Sequence, residues 1–509
     1  MFEILLCFNG YLTFGTSGGE FIRAVYKEGN NFYFVSTTNG WTNANAHAVL
    51  GVMSQYGTIS TLKRYYVSAS SPSYNFWITD INVTPSDIYM VGSICKYEQY
   101  YYICTNTSAP YSPFVGLAAL IKTDKLGNIS WYRIYDYSSI LKCSSNNQRF
   151  SIIYSSSLTS DGNLIVGGEA LFCSNSGIII GSAAFISKIN SSNGNVLWNI
   201  FIYDSSGGNW GYSAVVSVFE KGGYYYAIIQ STRSIGILKI QTNGSSWYWN
   251  RFQLPFDIPH QLRGVGKAIP TSDGNYVFVG VSHPGAYSID ILVVKISSDP
   301  PNSNIIFSKV IPYNGDDISR DVIERSTDYI IAGNLNYSYT SGYATLISVN
   351  KTTGNINYAY GPSQNTLAHK LFLHSDGTSI YIFGSTLPLL SGQNLVILSD
   401  GSSNTCYSLA NYSLSANNYN LTRTGYYYFS TSLPSSYSLT ISTSTANFQY
   451  DQRCGYLTPL SYKECLKDVE SYEIFSIDGR KLSNFNKKKG VYILKTKDKA
   501  FKILISTEK

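Results

Sequence analysis

Ser272-Asp273-Gly274-Asn275-Tyr276-Val277-Phe278-Val279-Gly280 sets a polar turn ahead of an apolar strand that ends on a small residue. Ser160-Asp161-Gly162-Asn163-Leu164-Ile165-Val166-Gly167-Gly168 repeats it, and weaker copies begin near Asn30, Asp87, Gly222, Asp328 and Asp376, seven in all. Their spacing of roughly 50 to 75 residues lies in or just above the range in which one repeat makes one blade or coil of a repeat fold.

Each turn and its strand are followed by a second apolar strand, a second turn and an aromatic strand. One copy runs Ala118 to Thr123, turns at Asp124-Lys125-Leu126-Gly127-Asn128 and continues as Ile129-Ser130-Trp131-Tyr132-Arg133. Another gives Phe185 to Ile189, the turn Asn193-Gly194-Asn195 and Val196-Leu197-Trp198-Asn199, and a third gives Asp290 to Ile296. A further strand precedes each Asp-Gly turn, as in Asp321-Val322-Ile323-Glu324. Four antiparallel strands per unit, with alternating apolar and polar positions, make small sheets that stack face to face. Seven such units close naturally into a ring, so the expected fold class is all-β: a seven-bladed β-propeller, then a small β extension and a short C-terminal β domain. The N-terminal stretch Leu5 to Phe14 resembles an outermost strand and is placed to pair with the seventh unit, whose strands run through Ile380 to Phe383 and Leu395 to Leu398. Closure of this kind removes exposed sheet edges. Cys406 to Ser413 competes for the same position, and the sequence does not decide between them.

The expected division is 1–405 for the propeller, 406–462 for a Ser/Tyr/Asn-rich extension or linker with short strands such as Tyr437 to Ser442, and 463–509 for a basic C-terminal β domain. Charged residues make up only 13% of the chain, whereas Tyr occurs 45 times. The net charge of +6 is carried largely by the last domain, with 12 Lys and Arg against 7 Asp and Glu, while the rest holds 25 against 24. A near-neutral body and an interleaved tail offer no basic stripe for nucleic acid. No apolar run reaches the length of a membrane helix, and the richest, Gly177 to Ile186, is interrupted by Gly181 and Ser182. The first residues, Met1 to Cys7, lack a positive n-region, so either the numbering starts internally or export does not use that signal.

Eight cysteines, without CxxC or a zinc-like Cys/His set, point to disulfides and an oxidising compartment. Cys95 and Cys104 bracket a Tyr-rich loop; Cys143 with Cys173 and Cys406 with Cys454 are further candidates, and buried free thiols are the alternative. The nine N-x-[ST] sites are about as many as this composition produces by chance and carry no weight.

The repeats resemble the Asp-Gly-Gly-Tyr type of bacterial extracellular propeller repeat over roughly residues 18–400, which implies the fold rather than an activity. The turns Asn193-Gly194-Asn195 and Thr353-Gly354-Asn355 are also similar to those of quinoprotein propellers. Those carry a Trp in every blade; here the equivalents of Trp131 and Trp198 become Phe307 and Tyr358, which argues against a quinone, and no cofactor is expected. The tail resembles the type A C-terminal sorting domain of type IX secretion cargo. It matches in Tyr472 to Leu482 with the turn Asp478-Gly479, in Lys489 to Lys495 with Gly490, Val491 and Tyr492, and in Phe501 to Ile505. The Pro-Asn-Pro opening of that family is missing. This resemblance implies contact with the secretion machinery, export across the outer membrane and a secreted or cell-surface location.

No nucleophile elbow, HExxH or phosphate loop is present, so no catalytic residue and no metal ligand is assigned. His369 and His374 lack the neighbours of a metal set. Asp316-Asp317-Ile318-Ser319-Arg320-Asp321 is the best carboxylate cluster; it suits acid–base work on a glycosidic bond or, more simply, turn capping with Arg320 as neutraliser. The Asp-Gly turns lack calcium-loop spacing. Aromatic loops are the better lead: Tyr97, Tyr100, Tyr101, Tyr102, Trp210, Tyr212 and Tyr287 are candidate platforms for a glycan or a surface-protein ligand. The reading favoured by the sequence is a secreted or surface binding or scaffold propeller without catalysis. Its alternatives are an extracellular glycan-active hydrolase or lyase, and a subunit of a surface layer or filament.

Overall fold

The computed structural model describes residues 10–15, 20–38, 47–55, 59–67, 74–96, 116–139, 141, 143, 150–175, 179–206, 209–257, 265–283, 288–297, 299–338, 341–362, 365–373, 379–386, 394–399, 409–419, 421–423, 427–437, 441–445, 449–454, 472–476, 490–496 and 500–505. These residues form a seven-bladed β-propeller. Blade 1 begins with the inner strand Glu20–Glu28 and blade 2 with Tyr74–Val83; blades 3 to 7 begin with Ser151–Leu158, Ser213–Lys221, Lys267–Pro270, Ile318–Glu324 and Thr366–Leu373. Three further antiparallel strands complete the meander in each. In blade 7 the outermost of these is Gly10–Gly15, which pairs with Asn394–Ser399 in the register Gly10 to Leu398 and Phe14 to Asn394. The N-terminal segment therefore closes the ring.

The stretch after blade 7 does something the sequence did not announce. It runs back around the ring in the opposite order and gives every blade a fifth strand. Leu409–Asn411 joins blade 6, Asn417–Asn418 blade 5, Thr422–Arg423 blade 4 and Tyr427–Ser430 blade 3. Ser435–Tyr437 then joins blade 2, Ile441–Thr445 blade 1, and Gln449–Cys454 lies against Gly10–Gly15 in blade 7. Of the stretch Cys406 to Ser413, Leu409–Asn411 thus pairs in blade 6 rather than competing for blade 7, and the two ends of the strand expected over Tyr437 to Ser442 belong to different strands, Ser435–Tyr437 in blade 2 and Ile441–Thr445 in blade 1. Beyond it, Tyr472–Ser476, Gly490–Thr496 and Ala500–Ile505 form a separate antiparallel sheet.

Second strands are buried along their whole length, as in Tyr276–Ser282 and Asp328–Leu335, because neighbouring blades cover both faces. Outer strands such as Ile356–Pro362 run from an exposed start to a buried end, so the alternation expected from the sequence is not seen there either. The Asp-Gly turns have a shared construction. Thr271 Oγ1 donates to Asp273 Oδ1 (2.5 Å), and Gly274, at φ 83°, donates its N–H to Thr271 O (3.0 Å). Asp273 then pairs with Lys295 on the third strand at 2.7 Å, and that ammonium lies 5.6 Å from the Tyr329 ring of the next blade. Asp161, Lys188 and Tyr225 repeat the arrangement two interfaces earlier, between blades 3 and 4. Burial works against the charge of Asp273, but Lys295, Thr271 and Asn275 outweigh it and hold the carboxyl well below its usual range.

On the rim, at three blade interfaces, an aromatic from the outer strand packs on the glycine of the next blade's last hairpin. A Cβ built on Gly194 would lie 2.8 Å from Trp131, one on Gly244 2.8 Å from Trp198, and one on Gly354 2.7 Å from Phe307. Phe307 thus fills the role that Trp131 and Trp198 play elsewhere. Gly162, with φ 80° and nothing within 4 Å, shares the left-handed backbone but not the crowding. Gly162→Ala should cost about 1 kcal/mol for the left-handed conformation alone. Gly194→Ala adds displacement of Trp131 and should cost about 2–4 kcal/mol, a difference read directly from paired urea-unfolding curves.

Candidate functional site at the axis

Inner strands in six of the seven blades carry a register shift, and it falls at equivalent positions: Arg23, Thr79, Tyr154, Val216, Arg320 and His369 are the extra residues. A bulge turns its side chain out of the pleat, and here that direction is the axis of the ring. The electrostatic couplings agree with this placement. Arg23 of blade 1, Arg320 of blade 6 and His369 of blade 7 act on one another, as do Asp80 of blade 2, Lys267 of blade 5, Asp321 of blade 6 and Lys370 of blade 7. Groups from blades that are not neighbours meet only on the axis.

Two tiers result. The lower, one residue nearer the Asp-Gly turns, balances its charges. Asp321 accepts the Leu371 N–H (2.9 Å) and pairs with Lys370 at 3.2 Å, and Asp80 accepts the Ser156 N–H at 2.8 Å. Burial opposes the charge on Lys370, yet Asp321 and Asp80 raise its pKa; for Lys267, burial prevails and lowers it. Asp80 and Asp321, with Ser155 and Ser217 in the equivalent positions, also take a backbone N–H from the next blade, so this tier ties inner strands together.

The upper tier lies toward the long loops. The Arg23 guanidinium stacks 3.9 Å from the Trp77 ring, and that of Arg320 lies 6.0 Å from Tyr337. Burial first, and Arg320 second, lower the pKa of Arg23 to about 9. His369 is buried, holds Ser385 Oγ at 3.2 Å, and is pushed well below the usual histidine range by burial and by both arginines, so it is neutral at neutral pH. Tyr154 donates its phenol to the buried Glu169 carboxylate at 3.2 Å. Trp77, Phe150, Leu171, Leu367 and the Cys143–Cys173 disulfide (Cα–Cα 5.0 Å) form an apolar cluster against which Tyr154, Tyr212 and Tyr337 pack.

Of the aromatic candidates read from the sequence, the structure brings Tyr212 to this cluster. Trp210 lies on a two-residue strand beside Ser205, and Tyr97, Tyr100, Tyr101, Tyr102 and Tyr287 fall outside the described residues. Cys95 is disulfide-bonded, while Cys104 and Cys406 lie outside the described residues, as do Asp478 and Gly479; of Cys454, Gly490, Val491 and Tyr492 the backbone strands are described. Arg320 does not neutralise Asp317 as the sequence implied, because the bulge carries it to the axis. Asp317 instead accepts N–H groups from Tyr313 (2.7 Å) and Asn336 (2.8 Å), the capping role. Among the described residues, no group of three or more His, Cys, Asp and Glu is arranged to hold a metal ion, and no helix is long and apolar enough to cross a membrane.

No family model matches the chain, and no curated protein does. Among solved structures, the chain is similar to the Trypanosoma rangeli sialidase at 9% identity and TM-score 0.35, over 75% of this chain and 55% of that one. It thus spans about half the length of that sialidase. A putative 6-phosphogluconolactonase from Bacteroides fragilis (9%, TM-score 0.35, 80% and 98% covered) and a variant of the NanB sialidase from Streptococcus pneumoniae (9%, TM-score 0.35, 77% and 94% covered) are similar to the same degree. All are far below the identity at which a ligand transfers.

Burial pushes Asp317 up to about 7 against its two N–H donors, with Asp290 and Asp316 adding to the rise, and burial pushes Asp290 up to about 6. The folded protein therefore holds protons that an unfolded carboxyl, at about pKa 3.9, releases. This stabilisation is complete below about pH 4 and is lost as pH rises through about 7. His47 and His369, both depressed, act in the opposite sense below about pH 6.5. Comparing wild type with Asp317→Asn cancels the histidine contribution. Between about pH 8 and about pH 5 the wild type should gain about 2 kcal/mol on the variant in chemical denaturation.

Proposed function

We propose that this protein is a glycan-directed propeller working at the loop-face end of its axis. The observation that carries this reading is the meeting there of aromatic faces with polar and charged groups: Trp77, Tyr154, Tyr212 and Tyr337 beside Arg23, Arg320, His369 and Glu169. Sugar rings are bound by just this combination of flat apolar platforms and fixed hydrogen-bonding groups.

A second reading, that the protein also cleaves the glycan, is favoured by Glu169. A buried carboxylate that takes the hydrogen bond of an axial phenol is suited to proton transfer, and Asp80 and Asp321 supply further carboxylates on the same axis. Screening neutral and acidic oligosaccharides by calorimetry and by reducing-end release tests both readings. Glu169→Gln should retain affinity within about threefold while losing at least about a hundredfold in turnover. Binding without release from any saccharide would leave a binding module, and no binding at all would defeat the glycan reading.

We further propose that the three-stranded tail directs export and places the protein outside the cell. Its support is the antiparallel order Tyr472–Ser476, Gly490–Thr496 and Ala500–Ile505, which matches the strand order of a sorting domain. Intact mass of the native protein from surface and culture fluid should show loss of the tail beyond the belt together with disulfide mass deficits. A full-length, reduced chain confined to the cell would overturn this.

A further inference from the structure

Six blades send a bulged residue to the upper tier of the axis, and blade 5 does not. The N–H of Ala268 donates to Ser217 Oγ as those of Val218 and Leu371 donate to Ser155 and Asp321, so Lys267 belongs to the lower tier and Gly266 stands where a bulged residue would be. No side chain fits there: Gly266 has φ 138°, and a Cβ built on it would lie 2.5 Å from Val279 O. The upper tier is therefore open above Lys267. Lys267 is half-buried, as are Asp80 and Lys370, whereas Ala268 behind it is buried.

Charge along the axis is close to balanced. The upper tier holds the Arg23 and Arg320 guanidinium groups, the Glu169 carboxylate and the neutral His369. The lower tier sets Lys267 and Lys370 against Asp80 and Asp321. Its two lysines differ in their bonding. Lys370 pairs with Asp321 at 3.2 Å and is held as an ammonium. Lys267 makes no hydrogen bond or ion pair with any described residue. Burial opposes its charge most strongly, with Lys370 acting in the same sense, and together they outweigh Asp80 and Asp321.

We infer that Lys267 is a covalent site for a small aldehyde or ketone, which enters along the axis and is held as a protonated imine whose charge is met by Asp80 and Asp321. This stands independently of the glycan reading. The step needs no further reactant. The ammonium lends one proton to a neighbouring carboxylate, and the free amine attacks the carbonyl carbon to form the C–N bond. A second N–H proton passes to the carbonyl oxygen, the lent proton returns to the same oxygen, and the C–O bond breaks to release water. The nitrogen lone pair completes the C=N bond, and the nitrogen keeps one proton and its positive charge. Two cations thus still face two carboxylates in the lower tier. A desolvated amine beside a second cation is the environment that activates a lysine for this chemistry, and each unit by which its pKa falls gives tenfold more free amine at neutral pH. Lys370, tied to Asp321, supplies that second cation and remains unreactive itself.

The test treats the full, folded chain with propanal or with acetone in the presence of cyanoborohydride, which reduces an imine to a stable secondary amine, and maps the added mass on peptides over a series of pH values. At pH 7 Lys267 should be labelled at least about tenfold faster than the other lysines of the chain. Its labelling should also level off at a lower pH than theirs, the signature of a free amine rather than of easy access. Labelling by propanal alone assigns the site to aldehydes, and labelling by both probes extends it to ketones. The measurement uses the unmodified sequence, so it does not depend on a variant that folds. Labelling spread evenly over the lysines, labelling of Lys267 slower than that of the others, or a pH profile that matches theirs overturns the site.

Discussion

Pairing of Gly10–Gly15 with Asn394–Ser399 is the contact on which the rest of this molecule depends. Until residues nearly four hundred positions apart come together, blade 7 lacks its fourth strand and blades 1 and 7 each have one uncovered face. The entropy of closing so long a loop rises only slowly with its length, but the packing of blade 1 on blade 7 waits until it is met. Once the ring is shut, Phe14 and Phe34 sit edge to face at 5.4 Å, Phe32 meets Tyr381 and Phe383 across the seam, and the axial groups acquire fixed neighbours. Arg23 of blade 1 can be held against Arg320 of blade 6 only in a closed ring.

Two faces of the disc are built by different rules. At the Asp-Gly face, repetition governs: threonine, aspartate, glycine and lysine recur in blades 3 and 5, and Glu220 and Glu324 cap the turns of the preceding blades through Ser160 and Ser272. Each such link contributes modestly because it is partly solvated, but the same link is made at two interfaces. At the opposite face every blade differs, and this is where bulged inner strands deliver arginine, tyrosine, threonine or histidine to one axis. A regular frame carrying irregular ends is how many binding folds separate stability from specificity.

Much of this frame was legible from the residues. Glycine at Gly162, Gly194 and Gly274 in turns flanked by Val and Ile runs fixed the strands, and exchange of Trp for Phe307 at the rim proved to be substitution within one packing role. The belt was illegible for a physical reason. Its strands are two to six residues long and dock chiefly by main-chain pairing, so Ser, Asn, Thr and Tyr serve and no apolar period of two has room to appear. The axial site was missed for another reason. A period-two reading of Glu20-Phe21-Ile22-Arg23-Ala24-Val25 or Ile318-Ser319-Arg320-Asp321-Val322 places each arginine on a blade face, whereas a one-residue shift sends it to the axis. The available signal was a charged residue in mid-strand at Arg23, Asp80, Arg320 and Lys370, and at the strand start at Lys267, in a chain only 13% charged.

The belt also settles where a pull on the chain would be felt. It leaves blade 7, travels the full circumference and returns to blade 7, ending on the strand that closes the ring. Tension applied beyond Cys454 acts first on the pairing of Gln449–Cys454 with Gly10–Gly15, then on Ile441–Thr445 in blade 1, and so on blade by blade. Each short strand is a separate small barrier, and the four-stranded ring beneath is not part of the load path until all seven have yielded. A molecule held by its C-terminal end would lengthen in steps under force while its axial groups stayed in register.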